Sequence, residues 1–246
     1  MGLVVVAVAL ATAATAISVT SAVASLTECV ASLGRLDVPT PRWATVVDAP
    51  PAPAAVVPDD PEAAARGAIG RWQRAGDAPP VDRDAALRAV TDDVIDYDAL
   101  TRRALGDPCP AATPTCENLW ARLDAQQRAE MTSLVTELVR SRVKRHASAV
   151  AGAPVAFLGV HPDPDGAVAR VATSISDRRH EPGARDVRLD WVLANGGTGW
   201  HVVDVVTEGS SLTRNYYTQL RRLMDDPSRG YAFVVERLRQ KIAASG

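Results

Sequence analysis

Residues 187–224 constrain this chain more than any other stretch: "VRLDWVLANGGTGWHVVDVVTEGSSLTRNYYTQLRRLM". Val187, Leu189, Trp191 and Leu193 alternate with the charged Arg188 and Asp190, the period of a strand with one apolar face. "NGGTG" is a Gly-rich hairpin turn, and "WHVVDVV" is the returning strand. The chain then passes a hinge, Glu208-Gly209-Ser210-Ser211, and becomes a helix striped by Leu212, Tyr216, Leu220 and Leu223. Gly209 gives the hinge backbone angles that other residues resist, and Ser210 or Ser211 can cap the helix. A strand turned directly into a helix, both apolar along one side, fixes the angle at which helix leaves sheet.

Two further strands precede this unit. "APVAFLGVH" and "AVARVATSIS" are joined by a Pro-Asp-Pro-Asp-Gly turn at 162–166. Before them lie helical segments: "PEAAARGAIGRWQRAG", then "DRDAALRAVTDDVIDYDALTRRALG", read as one helical region from an Asp82 N-cap to Gly106. In the next helix Met131, Leu134, Val135, Leu138 and Val139 form one apolar stripe, and Asp124 starts it. Tyr231, Val234, Leu238 and Ile242 stripe a last helix. The order is helices, four strands, two helices. It predicts an α+β fold: a four-stranded curved antiparallel sheet with helices packed on one face enclosing an apolar pocket. The same residues serve equally as a dry packed core.

The chain divides into 1–24, an uncharged segment ending in Ala22-Val23-Ala24; 25–60, a Pro/Ala-rich linker; and 61–246, the folded domain. The first segment reads as a signal peptide for export, or as a membrane anchor through residues 2–24. Cys109 and Cys116, close together across a Pro-rich loop, fit a disulfide in an oxidising compartment. The chain-entropy model assigns such a loop about 2.5 kcal/mol. Free thiols are the other reading. Cys29 stands alone, and Glu28 sits where a lipidation site needs a small residue. A formal net charge of −2 argues against a nucleic-acid binder.

Motifs for chemistry are sparse. His161, Asp163 and Asp165 read as turn chemistry rather than a metal site. His201, Asp204, Glu208 and Tyr216 form a candidate acid–base set. Strand parity puts His201 and Asp204, three apart, on opposite faces, and Glu208 is placed to cap the following helix. "RSRVKRH" at 140–146 reads as a solvated helix end or as a surface for lipid head groups or an acidic partner. No nucleotide-binding, nucleophile-elbow or zincin motif is present.

Three segments resemble the MlaC family of periplasmic phospholipid-binding proteins, also called toluene-tolerance proteins: "VIDYDALTRRALG", "LDAQQRAEMTSLVTELVRSRVKRHA", and most specifically 187–224. The resemblance implies a monomeric periplasmic carrier with no catalytic residue, metal or cofactor, phospholipid being its cargo. It would shuttle lipid between an outer-membrane lipoprotein–porin complex and an inner-membrane ABC transporter with its substrate-binding ring, maintaining outer-membrane lipid asymmetry. The residues expected to line a lipid pocket are Val94, Tyr97, Leu134, Leu138, Val155, Phe157, Val171, Leu189, Trp191, Val203, Val205, Tyr216 and Leu220. Val203 and Val205 are preferred as a pair sharing one strand face. The Cys109–Cys116 insertion and the long Pro-rich segment depart from the family pattern, which bears on partner docking. An enzyme using Asp204 or Glu208, and a tethered interaction module without ligand, remain the alternatives.

Overall fold

The computed structural model describes residues 60–109, 115–150, 153–176, 186–226 and 229–244, with backbone alone at 145–150. The expected signal or anchor, Cys29 and the linker up to residue 59 lie outside the described residues.

Helix α1 (Pro61–Gly76) begins where the Asp60 carboxylate accepts the N–H groups of Glu62 and Ala63 at 3.3 and 3.0 Å. Pro61 at its first position loses no intrahelical bond. The helical region expected to run unbroken to Gly106 is two helices, α2 (Pro80–Val94) and α3 (Tyr97–Ala104). Asp82 lies inside α2, whose N-cap is Pro79. The break has a tertiary cause. Ile95 forms a parallel bridge with Val202, and Asp96 donates its N–H to the Val202 carbonyl at 3.1 Å. The Asp96 side chain then caps α3 through the Ala99 N–H at 2.9 Å. After a 3-10 turn at Trp120–Arg122, α4 (Ala125–Val150) starts as the sequence indicates. Asp124 accepts from the Gln127 N–H at 2.8 Å while the Gln127 side chain accepts from the Asp124 N–H at 3.0 Å, a reciprocal capping box. Helices α5 (Leu212–Met224) and α6 (Gly230–Ala243) close the chain.

The sheet is antiparallel, in the order β1 (Val155–Pro162), β2 (Val168–Ile175), β3 (Val187–Asn195), β4 (Trp200–Thr207) and β5 (Ser210–Ser211). It thus has five strands, one more than expected. The fifth comes from the hinge. Thr207 pairs with Ser210 around Glu208 (φ 48°) and Gly209 (φ 79°), a two-residue hairpin with positive φ at both positions. The β1–β2 turn is built as predicted: Gly166 donates its N–H to the Asp163 carbonyl, and Ala167 to the Asp165 carboxylate at 3.1 Å.

Two bulges interrupt the sheet. Leu158 is the extra residue in β1 and is 57% exposed. In β4 the partners of Leu193 and Val192 are Val202 and Asp204, so Val203 is extra. An extra residue resets the parity of the strand beyond it. His201 opposite Ala194 and Asp204 opposite Val192 therefore share a face, contrary to the parity expectation.

The basic run on α4 is partly an interhelical seam. Arg140 holds Asp92 of α2 at 2.7 Å and Glu137 at 2.6 Å, and Lys144 holds Asp84 at 2.7 Å. Burial pushes the Asp92 carboxyl up, but hydrogen bonds from Arg140 and Tyr97, with the charges of Arg140 and Arg88, outweigh it and hold it below its ordinary value of 3.8. A depressed folded-state pKa contributes stability above the unfolded value, lost as pH falls through the folded one. The urea midpoint of the native protein should therefore exceed that of Asp92→Asn at neutral pH, and the gap should close between about pH 4 and pH 2. A gap unchanged across that range would rule out this ionic contribution.

Candidate functional site

Eight of the thirteen expected lining residues gather on one face of the sheet. Val94 and Val171 are buried with Ala65, Ala68, Val135 and Val202, and Tyr97, Phe157, Trp191 and Val205 pack half-buried against them. Leu189 and the half-buried Val155 join through Trp191 and Val205. Four more gather among α4, α5 and α6: Leu138 and Leu220 are buried with Met131, Val234 and Leu238, and Leu134 and Tyr216 pack against them. Helix α4 belongs to both groups, with Val135 and Val139 in the first and Met131 and Leu138 in the second. The thirteenth, Val203, stands apart. It packs with Val192 and Val206, near Ala99 of α3. Val205, opposite Trp191, is on the other face. Val203 and Val205 do not share a face, because Val203 is the bulged residue.

The sequence reading missed Trp72. It leaves α1 to stack on Trp191, with ring centroids 5.3 Å apart and planes 30° from parallel. Each indole N–H finds a threonine hydroxyl, Trp72 on Thr91 at 3.1 Å and Trp191 on Thr173 at 3.2 Å. Both hydroxyls donate onward to backbone carbonyls, those of Leu87 and Leu189, at 2.6 Å. Arg66 of α1 lies 3.7 Å from the centroid of Phe157. These contacts seat α1 on the apolar face and complete the aromatic part of its wall. A tryptophan in a short amphipathic helix was the only available signal; its partner was not in the periodicity.

At the hinge the serine cap is as expected and the role of Glu208 is not. Ser211 is the N-cap of α5, accepting from the Arg214 N–H at 3.1 Å. Glu208 does not cap the helix. Its carboxylate accepts the N–H of Arg188 on β3 at 2.6 Å, and its own N–H reaches the Arg188 carbonyl. Asp204, 6% exposed, is fully engaged. One oxygen accepts from the Val205 and Thr213 N–H groups at 2.8 and 2.9 Å, the other from the Ser211 hydroxyl at 2.6 Å. The strand, the hairpin and the first turn of α5 are thus tied at one carboxylate. Among the described residues, His201 makes no hydrogen bond to Asp204; its ring lies 3.4 Å from the Thr198 hydroxyl.

Two surface clefts among the described residues lie elsewhere, and none of the thirteen residues lines either. One, of about 690 Å³, lies between β4 and α5 and is rimmed by Arg103, Arg170, Arg214 and Arg222. The other, of about 470 Å³, runs along α4 past Arg128 and Arg140. Among the described residues no set of histidine, cysteine and carboxylate side chains could hold a metal, and no helix is long and apolar enough to cross a membrane. Cys109 and Cys116 form the expected disulfide.

The family model described as MlaC protein matches residues 71–240 of this sequence, which is nearly the whole folded part. The chain belongs to the MlaC family. Its fold agrees. A solved structure, the phospholipid-binding protein from Ralstonia solanacearum in complex with a phospholipid, superposes with a TM-score of 0.61. The two are 17% identical, and the match covers 76% of this chain and 98% of that one. No curated protein matches the sequence. For an MlaC-family chain, the α1 contacts, the bulge at Val203 and the Asp204 tie form the framework around the apolar residues.

Proposed function

We propose that the protein is a phospholipid carrier. Its cargo's acyl chains lie against the apolar sheet face and the stripes of α4 and α5. The observation that carries this reading is a fold matching a phospholipid complex, in a chain of the MlaC family, whose candidate apolar residues are only half-buried at Val155, Phe157, Trp191, Val205, Leu134 and Tyr216. Each buried methylene of an acyl chain contributes about 0.8 kcal/mol, so two chains bind tightly with little polar help. The route follows from the family resemblance: through the periplasm, between an outer-membrane lipoprotein–porin complex and an inner-membrane ABC transporter. The proposal gives Asp204 and Glu208 no catalytic part, since their carboxylates serve the hairpin and the start of α5.

The test is to export the full chain to a bacterial periplasm, purify it without detergent and record native mass spectra with lipid extraction. A stoichiometric phospholipid adduct is expected. A folded protein with a bare mass and no uptake from phospholipid vesicles would overturn the reading.

A further inference from the structure

The cleft between β4 and α5 has no part in the apolar groups assigned to the cargo. It is a groove of about 690 Å³ with two unlike walls. One wall is the sheet, where Arg170, Val192 and Asp204 stand in register across β2, β3 and β4. Val192 and its neighbour Trp191 point to opposite faces of β3, so the groove lies across the sheet from the aromatic stack. The other wall is one face of α5. Arg214, Tyr217, Thr218, Arg221, Arg222 and Asp225 recur at the helical period and all line the groove. Pro108, beside the disulfide, adds to the rim. The chain around the disulfide is fixed to this helix. The Thr115 carbonyl accepts from Arg221 at 2.6 Å, and the Tyr217 hydroxyl accepts the Glu117 N–H at 2.8 Å.

Charge in the groove is unevenly paired. Five arginines and three aspartates line it, in a chain whose formal net charge is −2. Asp204 is held by its three donors, and Asp225 by Arg221 at 3.3 Å and Arg122 at 3.1 Å. Arg170 lies 3.8 Å from Asp190. Among the described residues the guanidinium groups of Arg103, Arg214 and Arg222 make no hydrogen bond or ion pair, against one such carboxylate, Asp163. Arg103 is half-buried as well. Val168, Val192 and Val206 supply apolar surface between these charges. Such a concavity attracts an anionic ligand that is also partly apolar.

The spacing says what kind. Arg214 and Arg222 stand about 12 Å apart along α5, at about 1.5 Å per residue. A compact anion reaches one of them at a time. An extended peptide rises about 3.3 Å per residue, so carboxylates four positions apart match that spacing. A lipid surface is too flat to enter the groove.

We propose that this groove docks an extended acidic segment of a partner protein. The segment's carboxylates meet Arg103, Arg214 and Arg222, and its apolar residues lie on the valines of the sheet wall. Docking here does not compete with a cargo on the opposite face, and the assignment stands apart from the carrier reading.

The experiment is titration calorimetry on the full chain with a blocked peptide of alternating glutamate and valine, and with its glutamine counterpart. The native protein should bind the glutamate peptide, and the glutamine peptide about tenfold more weakly. The double variant Arg214→Ala/Arg222→Ala should weaken binding of the glutamate peptide about tenfold, while Arg74→Ala, which removes an exposed charge from α1, should leave it within about twofold. Both α5 arginines are exposed, so the urea midpoint of the double variant should match that of the native protein. The peptide pair tests charge on the native protein alone, whatever the stability of the variants. No binding of the glutamate peptide, equal binding of the two peptides, or equal losses in the α5 and Arg74 variants overturns the site. A last arm uses phosphatidylglycerol and phosphatidylcholine vesicles. Binding to the anionic vesicles that the double variant loses, with neither peptide bound, makes this a membrane-facing surface and overturns the peptide assignment. A protein that carries no lipid and still binds the glutamate peptide through Arg214 and Arg222 supports the docking site while the carrier reading fails.

Discussion

Asp204→Ala is expected to lower folding stability by about 3–4 kcal/mol, because it leaves buried donors without an acceptor. Three donors converge on this carboxylate: the Val205 and Thr213 N–H groups and the Ser211 hydroxyl. The hydroxyl can turn elsewhere, but the two N–H groups are fixed by β4 and by the first turn of α5. The carboxylate also sits at the N-terminus of α5, where the helix dipole favours negative charge. Asp204→Asn keeps one acceptor oxygen and should cost about half as much. Urea unfolding followed by circular dichroism measures both, with an unchanged slope as the sign that only stability has moved. The folded fraction of either variant should still carry lipid. A general base would behave otherwise, since its amide variant keeps the fold and loses turnover. An Asp204→Ala protein unfolding at the native midpoint would remove Asp204 from the framework.

What the sequence disclosed and what it withheld divide along one physical line. Signals local to one element were legible. The alternation from Val187 to Leu193 gives β3 its faces, Asp124 and Gln127 cap α4, and the five-residue turn at 162–166 joins β1 to β2. Decisions made between elements were not. Helix α2 stops at Val94 because Ile95 and Asp96 bond to Val202, and nothing within residues 82–106 announces a partner more than ninety residues away. The bulge at Val203 shifts every later residue of β4 by one place, so the parity argument failed for both the Val203/Val205 and the His201/Asp204 pairs. At the hinge Ser211, one of the two serines expected to cap α5, does so, while Glu208, also expected to cap the helix, closes onto β3 instead. The basic run at 140–146 was read as one surface, a solvated helix end or a face for lipid head groups or an acidic partner, but its charges divide: Arg140 and Lys144 pair with Asp92 and Asp84 of α2, while Arg142, four residues beyond Leu138, continues the apolar stripe with its Nε buried.

Trp191→Ala should destabilise the delipidated protein by about 3–5 kcal/mol, the usual range for emptying a large aromatic from a packed site. Three separate losses add to that figure: the ring's buried area, the stack on Trp72 at 5.3 Å, and the hydrogen bond to Thr173. They can be separated. Trp191→Phe keeps a stacking ring and gives up the hydrogen bond, for a loss of about 1–2 kcal/mol. A double-mutant cycle with Trp72→Ala should show a coupling of about 0.5–1.5 kcal/mol, since neither ring stacks once the other is gone. The decisive comparison is with cargo bound. If Trp191 belongs to a wall that acyl chains touch, phospholipid fills part of the space left by the truncation. Bound lipid then stabilises Trp191→Ala by more than it stabilises the native protein, through its affinity for the folded state alone. If Trp191 belongs to a core that nothing enters, lipid cannot reach the space and both proteins gain equally. Thermal midpoints of the two proteins, each delipidated and phospholipid-loaded, distinguish a lined cavity from a filled core at the residue where α1 meets the sheet.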